Sequence, residues 1–176
     1  LEYLWRVDVR ATMQLARMVG QRMKAHGSQG GDRSMIFVGW DQVETGMAGD
    51  SGELFSAIKG AVMAFSRSLA RSLAPHVRVN CVAPGCVATP TVKNMFEDPV
   101  NADPVLSRTP TGWIPEVQDV VGPVLFLCTE DARAITGQVL DVDGGYVIQG
   151  MEWAMSDEMK TFRNKLEEQG ADVLRK

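Results

Sequence analysis

Apolar positions recur along this chain at two spacings, and the alternation between them is that of helix and strand in turn. Trp5, Val9, Met13, Ala16 and Met23 fall at helical spacing, with Leu15 and Val19 widening the stripe. Glycines 27, 30 and 31 follow, so a largely buried helix is predicted over residues 1 to about 25. Met35-Ile36-Phe37-Val38 is a short unbroken apolar run, which suits a strand covered on both faces. Residues 41 to 49 read as loop. Asp50 with Glu53 three positions on is an N-terminal capping pattern, and Leu54, Ile58, Val62, Phe65, Leu69 and Leu73 then mark one helix face. Residues 77 to 82 alternate around Arg78 and Asn80 as a second strand, stopped by Pro84-Gly85. Residues 86 to 115 are rich in proline and polar groups and predict a long loop covering a site. A helix follows from about 115 to 128, bent or restarted by Gly122-Pro123, and then a third strand over 139 to 142. Met155, Met159, Phe162 and Leu166 mark a terminal amphipathic helix.

Apolar strands alternating with helices predict an α/β fold with about three parallel strands joined by right-handed crossovers. The outer edge of the first strand is expected to be open unless something covers it. Residues 1 to 150 form the α/β unit, and 151 to 176 a helical extension. The formal net charge of −4 and the lack of clustered Lys/Arg argue against a nucleic-acid or anionic-membrane surface. No apolar run reaches the length of a membrane span, and a cytoplasmic location is expected. Cys81, Cys86 and Cys128 have no metal-ligand spacing and are expected as reduced thiols; no metal site is predicted.

Chemistry enters with Phe55-Ser56-Ala57-Ile58-Lys59, with Val77-Arg78-Val79-Asn80-Cys81-Val82-Ala83-Pro84-Gly85 after it, and with residues 135 to 145 ending in Asp143-Gly144-Gly145. This set resembles the C-terminal half of the short-chain dehydrogenase/reductase family, and within it the 3-oxoacyl-acyl-carrier-protein reductases. The resemblance covers residues 1 to 150. It implies a truncated Rossmann-like sheet, NAD or NADP as cofactor, a small-molecule substrate, and a homo-oligomer built through the helices at 1–25 and 53–73. In the family the active-site segment reads Tyr-x-x-x-Lys, so Phe55 stands at the position of the acid/base tyrosine. Lys59 matches the lysine that lowers the tyrosine pKa and binds the nicotinamide ribose. Asp8 matches an asparagine that holds a water in the proton relay. Pro84, Gly85, Val87 and Thr89 keep the Pro-Gly-x-Val-x-Thr pattern that faces the nicotinamide. The serine that orients substrate falls at Gln42 by counting back from Phe55, or near Gly39 or Trp40 by aligning on the end of the strand.

Phenylalanine has no proton to give. The glycines at 27, 30 and 31 follow a helix and precede a strand, the reverse of the order a dinucleotide fingerprint requires. Impaired NAD(P)-dependent hydride transfer is therefore expected, since an acid/base group contributes about two to four decades in rate. Ser56 and Lys59 also spell Ser-x-x-Lys, a nucleophile and base one helical turn apart, which opens a serine hydrolase or esterase reading. A non-catalytic partner subunit and a reductase using Asp8 or Asp41 as its acid are the remaining readings.

Overall fold

A computed structural model describes residues 2–26, 33–49, 52–148 and 157–168. Three parallel strands, β1 (Ser34–Val38), β2 (Arg78–Pro84) and β3 (Val139–Val142), form one sheet in that order. Ser34 pairs with Arg78 and Val38 with Val82, and Cys81 with Val139 and Pro84 with Val142. Each crossover is helical, as parallel neighbours require.

The first helical stretch is α1 (Glu2–Leu4), a π-helical segment Trp5–Ala11, and α2 (Thr12–His26). It is not the largely buried helix its apolar stripe predicts: Val9, Ala16 and Gly20 are buried, whereas Trp5, Leu15, Met18 and Val19 are exposed. The physical reason lies in β1, whose outer edge has no strand partner among the described residues, leaving Val38 54% exposed beside α2. Coverage of β1 on both faces is thus corrected. A cavity of 420 Å3 runs along that edge, between Met35, Phe37 and Val38 on one side and Thr12, Leu15 and Val19 on the other.

Helix α3 (Gly52–Leu73) turns Ile58, Val62, Met63, Leu69 and Leu73 inward against Phe37, Val79 and Cys81, while Leu54, expected on that face, is exposed. Asp50, the predicted cap, lies outside the described residues, as do glycines 27, 30 and 31. Gly20 lets α2 approach α3, because a Cβ there would lie 2.6 Å from Leu73 Cδ1. The predicted loop over 86–115 contains two short helices instead, α4 (Pro90–Met95) and α5 (Pro99–Leu106). Thr89 and Asp98 cap them by accepting from Val92 N and Val100 N, and each is followed by proline at the first helical position, where a missing N–H costs nothing. Helix α6 (Val117–Cys128) opens with a capping box of Glu116 and Asp119 and passes through Gly122-Pro123 without interruption. The last helix, α7 (Asp157–Glu168), leaves Met159 and Phe162 exposed; Met155 and the Leu166 side chain lie outside the described residues. None of the helices among the described residues is long and apolar enough to cross a membrane.

Candidate active site at the carboxyl edge of the sheet

Ligands of parallel α/β sheets bind beyond the carboxyl ends of the strands, so the chemistry of this fold is sought after Val38, Pro84 and Val142. The chain leaves β1 through Gly39, whose N–H donates to Val82 O at 2.8 Å. A Cβ at Gly39 would lie 2.8 Å from Met63 Cγ and 3.0 Å from Cys81 Sγ, so only glycine closes this gap without moving its neighbours. Trp40 is therefore the first residue past the strand with room for a side chain.

Its ring meets Phe55 at 4.8 Å between centroids, edge to face. Of the registers open in the sequence for the orienting serine, this contact favours Trp40 over Gln42. Lys59, one turn along α3, places its Nζ 5.5 Å from the centroid of the Phe55 ring. Where the resembled site sets a serine, a tyrosine and a lysine, this one sets two aromatic rings and an ammonium. The ring–ring and cation–ring contacts contribute about 0.5–1.5 and 0.5–1 kcal/mol respectively, enough to give the cluster a defined shape, and neither ring carries an acidic proton.

Asp8 and Lys59 both line the 420 Å3 cavity along β1, joined by Thr12. Asp8 sits in the π-helical segment, where one extra residue per turn re-aims side chains. No sequence signal marked that segment. Ser56 is not brought into contact with Lys59: its Oγ is buried with no hydrogen-bond partner, and the Lys59 ammonium is over Phe55 instead. Pro84, Gly85, Val87 and Thr89 are half-buried along one loop, whose Ala88 N–H is held by Pro115 O at 2.8 Å, and the Thr89 hydroxyl caps α4. Asn80 has a structural role: fully buried, it donates to Ile135 O and accepts from Gln138 N.

Asp41, the next residue after Trp40, is buried at 4% exposure although it begins a loop. Neither carboxyl oxygen accepts a hydrogen bond of good geometry. Burial, then the charges of Asp143 and Asp141, push its pKa up to about 7, against a partial offset from the Gln42 amide. Unfolded, the same group ionises near its ordinary 3.8, so between those values the native state holds a proton that the unfolded chain has released. Asp41 thus contributes stability that is present in acid and lost as pH rises through about 7. Asp41→Asn is expected to remove this dependence, so that variant minus native stability grows by up to about 4 kcal/mol from pH 4 to pH 8 in urea titrations. An unchanged difference over that range would refute the assignment.

The family follows from comparison with known proteins. A family model described as Enoyl-(Acyl carrier protein) reductase matches residues 1–147. The chain belongs to the short-chain dehydrogenase/reductase family. A tropinone reductase homolog of Arabidopsis thaliana is 41% identical over 106 residues, covering 60% of this chain and 40% of that protein. The L-xylulose reductase of Mesocricetus auratus is 33% identical over 143 residues, covering 81% and 57%. The likeness to 3-oxoacyl-acyl-carrier-protein reductases is loose beside these. A crystal structure of a gluconate 5-dehydrogenase from Burkholderia cenocepacia, in complex with NADP and tartrate, superposes with a TM-score of 0.74 at 27% identity, covering 85% of this chain and 56% of that one. The chain spans about half the length of the curated relatives it matches.

Proposed function

We propose that this chain carries the substrate-side half of an NAD- or NADP-linked oxidoreductase site in which the family's usual proton relay is disabled. The observation behind this reading is the packing of Trp40 on Phe55 under the Lys59 ammonium. The residues present fit the nicotinamide end of such a cofactor in part. Lys59 opens on a cavity it shares with Asp8, and the Pro84-Gly85 loop brings backbone groups to the carboxyl edge of the sheet.

A bound nicotinamide supplies hydride chemistry at a carbonyl carbon. Lys59 would hold the ribose through charged hydrogen bonds, and Gly85 and Val87 would face the nicotinamide ring. Trp40 and Phe55 would enclose the substrate carbonyl in apolar walls without donating to its oxygen. The polar side chains lining the cavity are then Asp8, Thr12 and Lys59.

The test is a calorimetric titration of the folded chain with NADH and NADPH at low salt. Saturable binding, weakened about tenfold or more by Lys59→Ala, is expected, since a hydrogen bond to a charged group contributes roughly 1.5–3 kcal/mol. No cofactor oxidation is expected with a panel of small ketones and aldehydes. Brisk turnover by the native chain would overturn the disabled relay, and absence of binding would overturn the cofactor reading.

A further inference from the structure

The carboxyl ends of all three strands meet at one buried carboxyl group. Asp41 follows β1, Gly85 follows β2 and Asp143 follows β3. A Cβ on Gly85 would lie 2.7 Å from Asp143 Cβ and 2.9 Å from Asp41 Oδ2, so the three backbones are packed with no space between them. The two carboxyl groups live in unlike surroundings. Asp143 accepts from Gly145 N at 2.9 Å and Val147 N at 2.8 Å, and these bonds fix the turn in which Gly144 and Gly145 take φ of +67° and +86°. Asp41 has no comparable donor, and two close carboxyl groups resist ionising together, so the proton falls to Asp41.

We infer that Asp41 is a positioning residue that works as a proton-dependent latch: neutral, it lets the Gly85 loop and the Asp143 turn close on the end of β1, and ionised, it drives them apart. Ionisation releases one proton to solvent. A cavity of 270 Å3 beside Asp41, lined also by Glu44, Arg67, Asp141 and Val147, offers the water that a charged carboxylate needs. The groups facing Asp41 do not neutralise it. Asp143, after β3, and Asp141 of β3 disfavour its charge, the Cys86 thiol, itself pushed up by burial and by Asp41, brings no positive charge, and Arg67 of α3 is turned to Glu44 at 3.3 Å. The loop so controlled holds Gly85 and Val87, but the latch does not depend on any cofactor and goes beyond the reading given above. Its consequence is an edge whose geometry changes near neutral pH.

The test is an NMR titration of the isotopically labelled chain from pH 5 to pH 9, following the Asp41 carboxyl carbon together with the Gly85, Gly145 and Val147 amides. All four are expected to shift with one shared midpoint near 7. In Asp41→Asn, which mimics the neutral acid, that transition should vanish from the three amides. Of the two histidines, His76 precedes the amino end of β2, remote from this edge. An Asp41 midpoint near 4, amides that do not follow it, or amide transitions persisting in Asp41→Asn would each overturn the latch. If the variant fails to fold, the native titration decides alone.

Discussion

Trp40→Ser combined with Phe55→Tyr is expected to raise NADPH-dependent carbonyl reduction by about two to four decades over the native sequence, the range a positioned general acid supplies. That corresponds to roughly 2.7–5.5 kcal/mol of transition-state stabilisation. Neither change alone should approach it. A tyrosine at position 55 would meet the Trp40 ring, 4.8 Å away between centroids in the native packing, and the substrate oxygen would still lack its second donor. A serine at position 40 beside Phe55 would orient a carbonyl that nothing protonates. With both in place, Lys59, already 5.5 Å from the ring at position 55, would lower the phenol pKa by favouring its charged form. Stopped-flow oxidation of NADPH, with circular dichroism and cofactor titration as controls for fold and binding, measures the effect. A double variant that folds and binds NADPH yet stays as slow as the native chain would show that catalysis is lost elsewhere than at these two rings.

The parts of this architecture that were legible in the sequence are those whose signal is local. The α3 stripe from Ile58 to Leu73 and the β2 strand each fit within a few turns of chain, and each forms in the predicted place. What escaped depends on partners distant in sequence. The exposure of Leu15, Val19 and Val38 follows from the open edge of β1, and nothing in the spacing of those residues reports it. The helices at 90–95 and 99–106 were hidden because proline reads as a breaker, whereas after the caps Thr89 and Asp98 it starts a helix. Register around Trp40 stayed open for a similar reason: counting back from Phe55 and counting on from β1 disagree across a loop of free length. Asp41 looked like an ordinary loop carboxylate, and its burial arises where three strand ends converge.

The edge those strand ends build depends on a polar tie at the other end of the sheet, and breaking it should have the largest effect on stability. Arg78 is buried at the start of β2, yet its guanidinium donates to Leu127 O at 2.9 Å and Thr129 O at 3.1 Å, with Ile135 O at 3.4 Å. These carbonyls end α6 and open the path to β3, so one side chain terminates a helix and aims the next strand. Asn80, two residues on, donates to the same Ile135 O at 2.9 Å and accepts from Gln138 N at 3.0 Å. Removing Arg78 takes a charged donor from Leu127 O and Thr129 O, and removing Asn80 leaves the Gln138 N–H without its acceptor. Arg78→Ala is expected to cost about 3–5 kcal/mol and Asn80→Ala about 2–3 kcal/mol, from the penalties for lost charged and neutral hydrogen bonds. Because the two share Ile135 O, which either one alone still satisfies, the double variant should cost more than the sum, by about 0.5–3 kcal/mol. Urea unfolding of the four proteins in a double-mutant cycle measures both the losses and their coupling. Strict additivity would mean that the guanidinium and the amide anchor the crossover independently, and that the shared carbonyl does not link them.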